Sequence, residues 1–136
     1  MPTVNYYRGD GLPIVDVTIR YHALRGIAHA SGAKPEKKVR ALIDTGATHV
    51  VLQPHIVAEL GLAFAANIHN TVVGGTTHLV PGHAADLIFG TNPTYTVTGL
   101  LTLSQAVSGY DMLIGWDAMR FTDWIFNRDG TFSQSW

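Results

Sequence analysis

The sequence predicts an all-β fold, a closed barrel or sandwich with one or two short helices. Three observations point there. Short runs rich in Val, Ile and Leu recur along the chain, turn-forming Gly, Asn and Asp separate them, and the one stretch with helical spacing is brief.

The first strand is expected over Leu12 to Ile19, bounded by Gly9-Asp10-Gly11. Arg20 to Lys38, interrupted by Gly26, Ser31-Gly32 and Pro35, reads as a long loop or an irregular hairpin extension. Val39 to Ile43 and His49 to Leu52 are strands on either side of a tight turn. Pro54 suits the first turn of a helix that runs to Leu60 and stops at Gly61. Ile56, Val57 and Leu60 form its single apolar stripe, so it should pack on the sheet. Asn70 to Leu79 reads as a hairpin tipped by Gly74-Gly75, because two glycines readily supply the positive φ of a two-residue turn. Strands follow at Ala84 to Phe89, Tyr95 to Leu103 and Asp111 to Ile114. A last hairpin sets Trp124-Ile125-Phe126 against Thr131-Phe132-Ser133 across Asn127-Arg128-Asp129-Gly130.

With 136 residues and no internal repeat or linker, residues 1–136 are expected to form one domain. Apolar residues make up 46% and charged residues 14%, which is greasy for a small monomer and favours self-association. A net charge of −1 gives no overall attraction to nucleic acid or an anionic membrane. Six of the nine basic residues fall between Arg20 and Arg40, and Tyr21 alone among Phe, Trp and Tyr falls with them, too little aromatic interleaving for nucleic-acid binding, so the cluster reads as a solvated rim. The absence of cysteine removes disulfides, thiolate nucleophiles and thiolate metal sites. Met1 to Asp10 lacks a basic start followed by an apolar stretch, and no apolar run approaches spanning length, so a cytoplasmic protein is expected.

Ala41-Leu-Ile-Asp44-Thr-Gly-Ala-Thr-His-Val-Val51 delivers one carboxylate, Asp44, into a Thr-Gly turn between two apolar runs. An ionised carboxylate at the end of a buried strand is costly without a partner or a function. About seventy residues later comes Asp111-Met-Leu-Ile-Gly-Trp-Asp-Ala-Met119, two apolar residues and a Gly followed by a segment in which Asp117 comes after one intervening residue. The two motifs, in this order and at this separation, resemble the retroviral-type (retropepsin-like) aspartic proteases, with motifs at 41–51 and 111–119 and an outline match over 12–133.

The resemblance implies a retropepsin-like closed β-barrel forming a two-fold dimer, and an aspartic endopeptidase that hydrolyses extended, largely apolar polypeptide segments. It implies a water activated by Asp44 of each subunit. Because the chain holds one Asp-Thr-Gly and no Asp-Ser-Gly, the second carboxylate must come from a second copy, which makes the homodimer a requirement of catalysis. Two like charges so close cannot both ionise easily, so one proton is shared, an effect for which aspartic proteases are the standard illustration. By the same resemblance Thr45, Gly46 and Ala47 support the active-site loop: Thr45 bonds across the dimer axis, Gly46 lets the backbone turn sharply, and Ala47 leaves room. Leu42, Val51 and Leu113 line side-chain pockets, Ile114-Gly115 backs the loop, and Val73, Gly74 and Gly75 belong to the flap that closes over the peptide. No metal or organic cofactor is implied. Trp116 and Thr48 stand where viral members of the family usually carry an Arg and an Asp, leaving dimer stability to apolar contacts.

Rival signals are weaker. Among the seven histidines, His55 has a carboxylate, Glu59, at helical i, i+4 spacing, and no His-Glu-x-x-His accompanies it. Asp44 to Thr48 also resembles the phosphate-binding turn of actin-like ATPases, whose two large lobes this chain is too short to build. No serine lies in a nucleophile elbow. The remaining alternative is a catalytically inactive retropepsin-like dimerisation or ligand-binding module.

Overall fold

The structure, a computed structural model, describes residues 1–7, 12–71 and 74–136. Along the chain lie β1 (Thr3–Tyr7), β2 (Ile14–Tyr21), β3 (Glu36–Ile43), β4 (Val50–Leu52), α1 (Pro54–Leu60), β5 (Phe64–Thr71) and β6 (Thr77–Gly90). There follow β7 (Thr94–Ser104), β8 (Met112–Ile114), α2 (Trp116–Met119), β9 (Asp123–Phe126) and β10 (Thr131–Ser135).

Alternation sets the inner face of the first strands. Val15, Val17, Ile19 and Tyr21 of β2 are buried, with Asp16 between them exposed, and Val39, Ala41 and Ile43 of β3 are buried in the same two-residue period. The antiparallel register pairs Val15 with Ala41 and Val17 with Val39, so the two apolar faces coincide. The sheet continues in the order β2-β3-β8-β4-β7-β6, and β6 returns to pair with β2 from Val17↔Phe89 to Tyr21↔Ala85. Six strands thus close on themselves, which leaves no open edges around the ring. Val17, Ile19, Leu52, Leu87, Phe89, Met112 and Ile114 fill the interior. Burying these side chains drives closure, at roughly 1.5–3 kcal/mol for each large aliphatic or aromatic group.

Two appendages complete the molecule. β5 adds to β6 outside the ring. A separate sheet, β1-β10-β9, caps the barrel through Phe132, which is fully buried, and through Trp124, whose ring meets Phe89 edge-on at 6.0 Å. Helix α1 packs as its stripe dictates, with Ile56, Val57 and Leu60 buried and Gly61 closing it in the left-handed conformation.

Several expected boundaries move. The segment from Arg20 to Lys38 is less irregular than its composition implies, because β2 runs on to Tyr21 and β3 begins at Glu36, with Arg20 opposite Glu36. β1 was not expected, and the first expected strand starts at Ile14, with Leu12 only bridging. The hairpin expected over Asn70 to Leu79 is the end of a much longer one: β5 starts at Phe64 and β6 runs unbroken through Pro81-Gly82 to Gly90. Proline is tolerated there because Pro81 pairs with Asn67 of β5, whereas pairing to β7 begins only at Gly82. Thr71 pairs with Thr77, and at the tip Gly74 and Gly75 have φ 98° and 84°.

Candidate active site

The site arises from a strand inserted between two others. β8 lies parallel to β3 on one side and antiparallel to β4 on the other, so the chain leaving β3 at Ile43 must pass over the end of β8 to begin β4 at Val50. Asp44 to His49 make that passage, and β8 with the start of α2 holds them from beneath. The Asp44 N–H donates to the Ile114 carbonyl (2.9 Å), the Trp116 N–H to Ala47 O (3.0 Å) and the Asp117 N–H to Thr48 O (3.0 Å). The Trp116 indole donates a fourth bond, to the Thr45 carbonyl (2.6 Å). Trp116 therefore ties the turn down with a neutral hydrogen bond.

Gly115 makes this packing possible. A Cβ there would lie 2.6 Å from His49 O, 2.7 Å from Ala47 O and 2.9 Å from His49 N, all backbone atoms with little room to retreat. Asp117 adds a carboxylate under the loop: Oδ2 accepts from the Val50 N–H (3.3 Å) and lies 3.7 Å from His49 Nδ1. Burial pushes the Asp117 carboxyl above its ordinary value, outweighing the Val50 N–H and His49, which pull it down.

Asp44 itself is half-buried at the start of the turn, and its Oδ1 accepts from the Gly46 N–H (3.0 Å). Gly46 lies in the turn without a positive φ, and a Cβ at this position would approach Asp44 Oδ1 to 3.3 Å, so its glycine character keeps space beside the carboxylate.

Two hollows meet at Asp44. One, of about 550 Å³, is bounded by Gly46, Ala47, Val51 and Leu113 and by a polar wall of Thr48, His49, His69, Asn70, Thr71 and Gln105. The other, of about 490 Å³, is lined by Leu12, Pro13, Leu42, Ile43, Thr45 and Phe126. Among the described residues Asp44 is the only carboxylate in either wall.

The expected pocket residues are thus divided. Val51 and Leu113 share the first hollow, with Ala47 and Gly46, while Leu42 and Thr45 face the second. Gly74 and Gly75 sit at the hairpin tip, exposed and outside both linings, and Val73 lies outside the described residues. The sequence reading missed His49, His69, Asn70 and Gln105. The first three had a usable signal, since His49 adjoins the Asp-Thr-Gly turn and His69-Asn70 precede the glycine tip; Gln105 had none.

Against known proteins, the profile of the family described as "gag-polyprotein putative aspartyl protease" matches residues 31–120, a span that contains both the Asp44 turn and the Asp111 to Met119 segment. The structure is similar to the crystal structure of a retropepsin-like aspartic protease from Rickettsia conorii, with a TM-score of 0.66 and 10% sequence identity over 99% of this chain and 91% of that one. A likeness at that identity shows the fold, which is retropepsin-like. No curated protein matches the chain.

Proposed function

The chain belongs to the gag-polyprotein aspartyl protease family, and on that premise we propose that it is an aspartic endopeptidase that works as a homodimer on extended, largely apolar polypeptide segments. One observation carries the reading. A single carboxylate, Asp44, stands at the junction of two hollows on a turn held from beneath by four hydrogen bonds to or from Ile114, Trp116 and Asp117. Such a turn presents a carboxylate in a fixed place, as catalysis requires. One carboxylate cannot act as acid and base together, so the reading needs Asp44 of a second copy across a two-fold axis near Thr45.

With two copies of Asp44 in contact, one carboxylate is ionised and its neighbour protonated. The ionised group takes a proton from water while the oxygen of that water forms a bond to the scissile carbonyl carbon. The protonated group hydrogen-bonds the carbonyl oxygen as negative charge develops there. Collapse of the tetrahedral intermediate breaks the C–N bond and a proton passes to the departing amine, leaving the pair again with one proton between them. The hairpin tipped by Gly74 and Gly75 would cover the peptide and hold it by strand-like backbone bonds. Neither a metal nor an organic cofactor takes part.

The test is cleavage of a mixed peptide library by wild type and by Asp44→Asn, with sedimentation of both. Wild type should cut with a two-sided pH profile, and Asp44→Asn should lose roughly 10⁴-fold in rate, the scale seen when one member of a catalytic unit is removed, while still dimerising. A variant that cuts as fast as wild type would sink the assignment. Dimers that cut nothing would leave a dimerisation or ligand-binding module.

A further inference from the structure

We propose that the larger hollow beside Asp44 is a side-chain subsite selective for a planar carbonyl-bearing group, the carboxamide or carboxylate of Gln, Asn, Glu or Asp, and that His49, His69 and Gln105 determine this selectivity. The inference rests on the protease reading and deepens it. The two hollows that meet at Asp44 differ in chemistry: Leu12, Pro13, Leu42, Ile43 and Phe126 make the smaller one apolar, whereas the larger carries a polar wall. In the two-fold dimer each subunit contributes one hollow of each kind, so a peptide lying across the paired Asp44 carboxylates would meet a polar wall on either side of its reacting bond.

The polar wall is organised. Asn70 Nδ2 donates to Gln105 Oε1 at 2.8 Å, which commits the Gln105 carbonyl as an acceptor and leaves its amide N–H groups as the donors that side chain can offer the hollow. His49 is backed by Asp117, whose Oδ2 lies 3.7 Å from His49 Nδ1 and is itself anchored by the Val50 N–H. A carboxylate behind one ring nitrogen orients the imidazole, whose other nitrogen is on the opposite side of the ring. His69 comes from β5 and is exposed, so it borders the hollow at no cost to the core. No Lys or Arg is among the described residues that line the hollow, so attraction of a carboxylate does not come from a permanent positive charge. What the wall offers is a set of hydrogen-bonding groups that an aliphatic side chain would cover without satisfying.

The experiment uses a cleavable peptide in which each residue flanking the reacting bond is in turn Gln, Glu or the near-isosteric Met. Cleavage by wild type is measured as kcat/KM, and binding of the same peptides to the uncleaving Asp44→Asn protein is measured by calorimetry. At the flanking positions that enter the polar hollow, one on each side of the bond, Gln or Glu should exceed Met by on the order of tenfold in both readouts. His69→Leu and Gln105→Leu should each reduce that ratio, and together reduce it further, leaving the part that His49 supplies. Because His69 is exposed, its variant keeps the test independent of folding. Glu above Gln assigns the subsite to carboxylates, and Gln at or above Glu assigns it to carboxamides. A preference for Met at every position, or a ratio unchanged by the double substitution, overturns the proposal. If wild type cuts no peptide at all, the protease reading falls instead, and the binding ratio on Asp44→Asn still decides the subsite.

Discussion

Around the Asp44 turn, the residues that matter most are those that let backbones approach. Gly115 is the clearest, since the three atoms that a Cβ would strike belong to the main chain of Ala47 and His49. Gly115→Ala must therefore either push the turn off α2 or push β8 out of line. We expect a loss of about 1–3 kcal/mol, the range for overpacking a tight site, read from urea unfolding, with cleavage lost more severely than stability because the displaced segment carries Asp44. A variant with wild-type stability and rate would show that the packing yields easily. Asp44, Thr45 and Gly46 were legible in the sequence because the turn is local. Trp116 was not: nothing along the chain says that its indole reaches back to Thr45, a residue 71 positions earlier.

Elements tell a similar story. The ends of α1 were readable from Pro54 and Gly61 because both act through their own backbone preferences. Gly61 has φ 57°, and a Cβ there would come within 2.8 Å of His29 Nε2. Gly61→Ala should cost about 1–2 kcal/mol from the left-handed conformation alone, and thermal unfolding would measure it. Substitution of His29 by Ala in the same background should recover only the smaller, steric part; full recovery would mean that the conformation carries no strain. β5 and β6 were less readable. β5 lies outside the ring with no buried residue, so its polar and exposed sequence has no two-residue apolar rhythm to detect. In β6, Pro81-Gly82 imitates a turn, and only the pairing partners on each side explain why the strand continues.

For the whole molecule, the response to acid follows from three groups placed by the barrel. Burial alone would raise the Asp86 carboxyl, but hydrogen bonds from the Gly99 N–H, Arg20 and His22 outweigh it and hold it below the ordinary value. Its contribution is present at neutral pH and is lost as pH falls from about 4 downward through the depressed value. His83 is held below the ordinary 6.5 by burial, so the unfolded chain takes up a proton first and stability declines as pH falls below about 6.5. Asp117 has the opposite sign: its raised carboxyl costs stability at neutral pH, and that cost is relieved as pH falls through the raised folded value toward the ordinary 3.8. Urea midpoints taken across pH should show a shallow decline below about 6.5 that His83→Gln removes, and a steeper one below about 4 that Asp86→Asn removes. Asp86→Asn should also cost roughly 2 kcal/mol at neutral pH, less than a fully buried pair because Arg20 and His22 reach solvent. Unchanged acid profiles in both variants would refute these assignments.

The sequence by itself determined the chemistry at one point and the kind of fold around it. The Asp44-Thr45-Gly46 turn, the apolar run ending in Gly115, the limits of α1 and the glycine tip are all set by local conformational preference, which acts between near neighbours and can be read in order. Only the tertiary structure decided that β8 slips between β3 and β4, that β6 closes the ring on β2, and that Asn70 meets Gln105 beside His49 and His69. Short strands of Val, Ile and Leu have nearly interchangeable faces, so their individual propensities do not choose partners. The choice belongs to the arrangement that buries all of those faces at once, and the make-up of the hollows at Asp44 follows from it.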